Sequence, residues 1–301
     1  MLKIKFISDT PKNEKRPGGW TWYKLWRRMA QDYEKYTWND IQVVTPEEKA
    51  DINIIINHPK FHVGEDFDRK NTITYQLEPK VVRQKHWWEY NNPSTESGFL
   101  YCHNIDSNHM AIDWNVEYTY EQLQTMKIEK TKILSTVQTW KDYYPGHKLR
   151  KFFLQNYLDN LDYIDIYGHL KQGEDWTYKQ FKGELPVRKK ESALAPYKYT
   201  FCCENSIEEN YWTEKIIDAI ICECLPFYWG CKNLKDFLPE GCFIWLPLDD
   251  PELSLEIIEK SIRDNEWEKR INTIKIAKKL IMEKWQFFPD LKYHLKRLGV
   301  L

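Results

Sequence analysis

Residues 199–227, YTFCCENSIEENYWTEKIIDAIICECLPF, decide how this chain is read. An apolar β-forming run ends at Cys203, a polar turn follows, and a helical period starts near Thr213. A second apolar run, CLPFYWG, then closes on Gly230. Strand, turn, helix, strand is one unit of a parallel α/β sheet. In open α/β sheets ligands sit beyond the carboxyl ends of the strands, where strands hand over to helices. The helix start also offers unpaired N–H groups and the positive end of a dipole. Tyr211, Glu214 and Lys215 fall within one turn there, so their side chains take neighbouring directions. A cation for phosphate oxygens, a carboxylate for ribose hydroxyls and an aromatic ring beside base or sugar together suit a nucleotide. The same residues also make an ordinary ion pair on a solvated helix end, and spacing alone does not separate the two.

The same alternation extends in both directions. Strands are expected at 4–7, 41–44, 52–56 and 72–77 in the first half, and at 132–137, 163–167, 199–203, 225–228 and 242–246 in the second. Between the first two lies PGGWTWYKLWRRMA, whose Trp22, Leu25, Trp26 and Met29 repeat at helical spacing. Helices are expected over HKLRKFFLQNYLDNL and over 213–222 and 253–263. The polar segment 118–129 joins the halves. The expected architecture is two doubly wound, Rossmann-like domains with a ligand cleft between them. From Asn265 the chain reads as helical to its end, broken at Pro289.

Composition narrows the function class. The 301 residues suit two domains, and 42% hydrophobic with 30% charged residues is ordinary for a folded protein. The net charge of −1 gives no overall field toward nucleic acid or an anionic membrane. No stretch is apolar for long enough to span a bilayer, and no signal peptide opens the chain, so a cytoplasmic protein is expected. Seven cysteines, six of them in or beside apolar runs (Cys202, Cys203, Cys222, Cys224, Cys231 and Cys242), read as small buried thiols of a reducing compartment. Fourteen Trp and nineteen Tyr serve either an aromatic core or a sugar-stacking platform.

Taken together, the motif residues resemble the donor-binding signature of the α-1,3/4-fucosyltransferase family. Glu204, Asn205, Ser206, Tyr211, Thr213, Glu214, Lys215, Pro226 and Gly230 occur in the family's order. KNLKDFLPEGCFIWL matches its following turn and strand. The resemblance implies donor binding by Glu204, Asn205, Ser206, Tyr211, Thr213, Glu214 and Lys215. Upstream, KILSTVQTWKDYYPGHKLRKFF resembles the family segment whose arginine binds the donor pyrophosphate, which implies that role for Arg150; an Arg fork matches phosphate oxygens. TITYQLEPK resembles the strand that ends in the family's catalytic base, which implies Glu78, with Glu89 and Glu96 as fallbacks. Cys203 departs from the aromatic or apolar residue usual before Glu-Asn. The membrane anchor and disulfide cysteines of animal members are not seen.

The resemblance implies the GT-B fold: an acceptor domain over 1–126, a GDP-sugar domain over 127–275, and helices over 276–301 packing across the junction. It implies an inverting hexosyltransferase moving fucose from GDP-fucose to a glycan hydroxyl, α-1,3 in type. The partners are then a nucleotide sugar and a glycan, with no nucleic acid. No metal ligands are nominated and no cofactor is required; a divalent metal is compatible with the reading but not indicated. The alternatives are another nucleotide sugar on the same fold, or a non-catalytic glycan- or nucleotide-binding protein. Asp66-Phe67-Asp68 spells a DxD, but it lies in a charged loop away from the signature. His58 and His62, or His103 and His109, show no metal-ligand companions at convincing spacing. Pro17-Gly18-Gly19 offers a close backbone approach at the first strand–helix turn. No motif nominates a nucleophile.

Overall fold

The structure is a computed structural model that describes residues 1–8, 19–57, 67–79, 98–103, 108–109, 112–169, 178–186 and 188–301. Pro17, Gly18, His58, His62, Asp66, Glu89 and Glu96 lie outside them. The chain divides into two units. The first comprises Met1–Asp113, Tyr118–Thr125 and Lys284–Leu301; the second comprises Trp114–Glu117 and Met126–Glu283.

The sheet of the first unit contains β1 (Leu2–Phe6), β2 (Thr37–Trp38), β3 (Ile41–Val43), β4 (Ile52–Ile56), β5 (Thr72–Tyr75) and β6 (Tyr101–His103), in the order β2-β3-β1-β4-β5-β6. All pairs are parallel except β2 with β3. Ile4, Phe6, Ile54, Ile55 and Ile73 are fully buried, as expected where helices cover both faces of a parallel sheet. Helix α1 (Trp20–Trp26) starts at Gly19, φ 104°. A Cβ there would stand 1.9 Å from the Phe6 carbonyl oxygen, so glycine is required by the approach of the turn to β1 itself. Short α2 (Tyr120–Thr125) belongs to this unit as well.

The aromatic residues largely build cores. Phe6, Trp26 and Phe287 meet edge to face or tilted, with ring centroids 4.6–5.5 Å apart. Trp38 stacks on Phe288 at 5.8 Å. These rings anchor the last helix, α8 (Phe287–Arg297), whose N-cap Gln286 accepts from the Phe288 N–H. The helical break expected at Pro289 falls earlier, at a π-turn over Ile281–Trp285 and at Gln286. Pro289 sits in the first turn of α8, where a missing N–H breaks no helical bond.

The second unit has β7 (Lys132–Thr139), β8 (Ile164–His169), β9 (Phe181–Gly183), β10 (Tyr197–Cys203), β11 (Leu225–Trp229) and β12 (Ile244–Trp245). Their order is β12-β11-β10-β7-β8-β9, all parallel. The chain builds outward from β7 to β9, then returns to β10 beside β7 and builds the other way. The carboxyl ends of β7 and β10 are therefore the switch point of a doubly wound sheet. Helix α3 (Pro145–Asn156) follows β7, α4 (Glu191–Leu194) precedes β10, and α5 (Glu214–Ile221) follows it. Helices α6 (Pro251–Arg263) and α7 (Glu266–Leu280) complete the unit. Among the described residues no helix is long and apolar enough to cross a membrane.

Candidate active site

The turn after β10 begins with a buried carboxylate. Glu204 is fully buried, and its backbone N–H donates to the Trp229 carbonyl, which extends the β10–β11 pairing by one residue. Its Oε1 accepts from the Thr213 N–H (2.9 Å), and its Oε2 accepts from the Thr213 hydroxyl (2.8 Å). Tyr228 OH donates to Oε1 as well, at 3.4 Å. Glu204 thus fixes Thr213, and Thr213 is the N-cap of α5, its hydroxyl facing the Lys215 N–H. Gly230 is required by the same packing, because a Cβ there would lie 2.4 Å from Glu204 Cγ.

Lys215 is held inside this frame. Its Nζ lies 3.0 Å from Thr213 Oγ1, 3.2 Å from Glu204 Oε2 and 3.3 Å from Glu214 Oε1. Burial acts to lower its pKa, but Glu204 and Glu214 outweigh that and raise it, so the ammonium is permanent. Burial acts to raise Glu214, and Lys215 with Lys190 brings it down to about 2. Glu214 is a carboxylate at every working pH. The ion pairs continue: Lys190 Nζ is 3.9 Å from Glu214 and 2.7 Å from Asp218 Oδ2. Asp218 Oδ1 accepts from the Asn115 N–H (2.6 Å). Burial pushes Asp218 up to about 6 despite Lys190.

Helix α3 brings the second cation. A Cβ on Gly146 would stand 1.9 Å from the Glu204 carbonyl oxygen, and the Gly146 N–H donates to the Asn205 carbonyl (3.0 Å). The amino end of α3 therefore lies directly on the 204–205 turn. His147, next on the helix, pairs its Nε2 with Asn205 Oδ1 (2.8 Å). Burial, with Arg150 second, lowers its pKa to about 3. The ring is neutral, so Nε2–H donates and Asn205 accepts. One turn further, Arg150 is buried and, among the described residues, its guanidinium donates one hydrogen bond, to Thr139 Oγ1 at the end of β7 (3.1 Å). Burial lowers its pKa too. A buried guanidinium with most of its N–H groups unspent is costly unless an anion arrives.

Of the residues expected from sequence, Arg150, Glu204, Asn205, Ser206, Tyr211, Thr213, Glu214 and Lys215 all lie at or beside the carboxyl ends of β7 and β10. Tyr211 is buried, and Ser206 donates to Glu208 (2.6 Å). Glu78 lies in the first unit, just past the end of β5, half-buried before buried Pro79. Thr139, Gly146, His147, Lys190 and Asp218 were missed by sequence reasoning. One signal was readable: Glu214 and Asp218 are four apart on one apolar helix, and two like charges on a buried face require a cation. Cys203, the departure from the family pattern, is buried with its thiol pushed up to about 12 by burial, so it is no nucleophile at neutral pH. All seven cysteines are free.

Comparison with known proteins gives a partial match in sequence and a likeness of fold. Residues 119–249 match the family described as glycosyltransferase family 10 (fucosyltransferase), C-terminal. An α-(1,3)-fucosyltransferase of Helicobacter pylori is 44% identical over 56 residues, 18% of this chain and 12% of that protein. An α-(1,4)-fucosyltransferase of Arabidopsis thaliana is 38% identical over 47 residues, 16% of this chain. The matched stretch again spans 12% of the relative. A crystal structure of an α1,3-fucosyltransferase with GDP superposes with a TM-score of 0.52 at 16% identity, covering 94% of this chain and 90% of that one. An α-glucosyltransferase in complex with UDP and DNA superposes with a TM-score of 0.62 at 12% identity, covering 99% of both chains. At these identities the likeness is one of fold: α/β with two sheets, the second parallel and the first parallel but for β2, the GT-B class.

Proposed function

We propose that this chain, whose residues 119–249 match the family 10 fucosyltransferase C-terminal model, transfers fucose from GDP-fucose to a hydroxyl of a glycan, with inversion and in α-1,3 linkage. The observation that carries the reading is the pair of cations at the β7/β10 switch point. Arg150 is a buried guanidinium that spends one hydrogen bond among the described residues, on Thr139, and Lys215 is an ammonium locked in place by Glu204. A diphosphate is the anion that uses both. The fucosyltransferase of similar fold was solved with GDP, and the family match over residues 119–249 includes β7, β10 and α5.

The chemistry follows from what such a transfer demands. The transition state resembles an oxocarbenium ion, with charge growing on the departing diphosphate. Arg150, Lys215 and the N–H groups at the start of α5 stabilise that charge without reorganising. Glu214, ionised beside Lys215, accepts from the ribose hydroxyls. Glu78 takes the proton of the acceptor hydroxyl, a contribution of roughly 10²–10⁴-fold. No cofactor is required in this scheme. Free cysteines throughout fit a reducing, cytoplasmic setting.

Two substitutions test the scheme. Glu78→Gln should abolish transfer while GDP still binds; near-normal turnover rules Glu78 out as base. Lys215→Ala should weaken GDP binding in calorimetry, and unchanged affinity removes Lys215 from the donor site. A thermal-shift panel of GDP, UDP, GDP-fucose and GDP-mannose fixes the donor, because a ligand of the native state raises its melting temperature. Stabilisation by UDP alone contradicts the proposal.

A further inference from the structure

The first unit holds a cluster of imidazoles that donor binding and proton transfer do not use. His103, at the end of β6, and Asp290 and His294, one turn apart on α8, are all buried. Their ligand-type atoms lie within 4.8 Å of one another. Three ring nitrogens surround the one carboxylate. His103 Nδ1 is 3.4 Å from Oδ2, His294 Nε2 is 3.4 Å from Oδ1, and His109 Nε2 is 3.5 Å from Oδ1. None of these separations is a hydrogen bond of good length. They are close to the edge of a tetrahedron of nitrogen and oxygen ligands about a zinc ion, about 3.3–3.4 Å for bonds of about 2.0–2.1 Å.

Hydrogen-bond accounting sharpens the point. His103 Nε2 lies 2.6 Å from the His109 carbonyl oxygen, which can only accept, so Nε2 carries the proton. In a neutral ring Nδ1 then presents a lone pair to the Asp290 carboxylate, with no hydrogen-bond partner among the described residues. Two acceptors facing one another in a buried site repel unless a cation lies between them. Tyr75 OH donates to Asp290 Oδ2 (3.0 Å). A carbonyl behind one histidine and a hydroxyl on the carboxylate are the supporting bonds that orient metal ligands.

We propose that His103 Nδ1, His294 Nε2 and the Asp290 carboxylate bind a zinc-type divalent cation. The donor set, two imidazoles and one carboxylate, suits Zn²⁺ or Co²⁺ and disfavours the hard, oxygen-seeking Mg²⁺ and Ca²⁺. On binding, the Tyr101 hydroxyl, 3.1 Å from His294 Nε2, releases that contact and keeps the bond it accepts from Asn108 (2.7 Å). The site is closed and buried, so the ion is structural. It ties α8, near the end of the chain, to edge strand β6. Because an unfolded chain presents no such site, the binding energy adds to folding energy.

The test uses the full chain, stripped with a chelator, dialysed and titrated with Co²⁺. One equivalent should produce the intense visible d–d bands of four-coordinate cobalt. Zn²⁺ should then bleach them and raise the melting temperature. His103→Gln and Asp290→Asn, each close to the native shape, should weaken Co²⁺ binding at least tenfold. Absence of the bands, with a melting temperature indifferent to Zn²⁺, overturns the proposal and leaves an imidazolium–carboxylate pair. Bands of equal intensity and affinity in both variants also overturn it, because the metal then binds elsewhere.

Discussion

Arg150 and Lys215 carry the same charge in opposite surroundings. Lys215 is enclosed by Glu204, Glu214 and Thr213, whereas among the described residues the Arg150 guanidinium bonds neutral Thr139. Removing Arg150 relieves a buried charge and removes an anion contact, so binding should suffer more than folding. Arg150→Ala should weaken GDP about 10–100-fold, the range of one charged hydrogen bond of about 1.5–3 kcal/mol, with melting temperature kept or raised. Titration calorimetry beside thermal unfolding separates the two effects. Unchanged GDP affinity would show that the guanidinium meets no phosphate. Glu204→Gln should behave in the opposite way. It leaves the Lys215 ammonium without its buried counter-charge and loosens the Thr213 cap, costing about 3 kcal/mol of stability. Glu214→Gln, with a side chain 26% exposed where Glu204 is fully buried, should cost less. Equal losses in urea unfolding would remove Glu204 from its anchoring role. The sequence placed Glu214 and Lys215 side by side, and that much was legible. That Glu204, well before them, is the group holding both Thr213 and Lys215 was not, because the loop between folds back on itself.

At the scale of elements, the site depends on two helix starts meeting one turn. The strands and helices around that turn were legible because apolar period and Gly and Pro punctuation coincide there. The contact of α3 with the 204–205 turn was not, because it depends on backbone approach rather than pattern. Gly146→Ala puts a methyl group 1.9 Å from the Glu204 carbonyl oxygen, so α3 must shift as a body. Arg150 and His147 ride on that helix. Stability and GDP affinity should therefore fall together, and a variant that loses neither contradicts the packing. Helix α5 carries a pH signature. Asp218 titrates near 6 in the fold and, as an ordinary aspartate, near 4 in the unfolded chain. Between these values the folded state holds a proton that the unfolded state has released, so stability falls as pH rises. Two pKa units correspond to on the order of 2–3 kcal/mol. Urea midpoints at pH 4 and pH 6.5 should show this loss in the wild type and not in Asp218→Asn. Parallel curves would mean that Lys190 keeps Asp218 ionised throughout.

For the whole molecule, the sequence showed two doubly wound units but not which residues from opposite ends of the chain meet. His103 and Asp290 are the sharpest case: spacing within either segment is uninformative, and aromatic packing of α8 beside the first sheet brings them together. The same limit applies to ligand choice, because both sheets contain a switch point, β1/β4 in the first unit and β7/β10 in the second. The described part of the first is already closed upon itself. The Ser8 hydroxyl accepts from the Ile56 N–H (2.8 Å) and donates to the Ile56 carbonyl, and Gly19 presses on Phe6. The second presents a guanidinium and an ammonium instead. Native-state hydrogen exchange distinguishes them, since opening is local and bound ligand slows it where contacts form. With saturating GDP, protection should rise most over 139–150 and 204–217, the ends of β7 and β10 with the first turns of α3 and α5. Amides of β1 and β4 should gain far less. The opposite pattern, with protection concentrated on β1 and β4, would place the nucleotide in the first unit and leave Arg150 and Lys215 as members of a structural charge network.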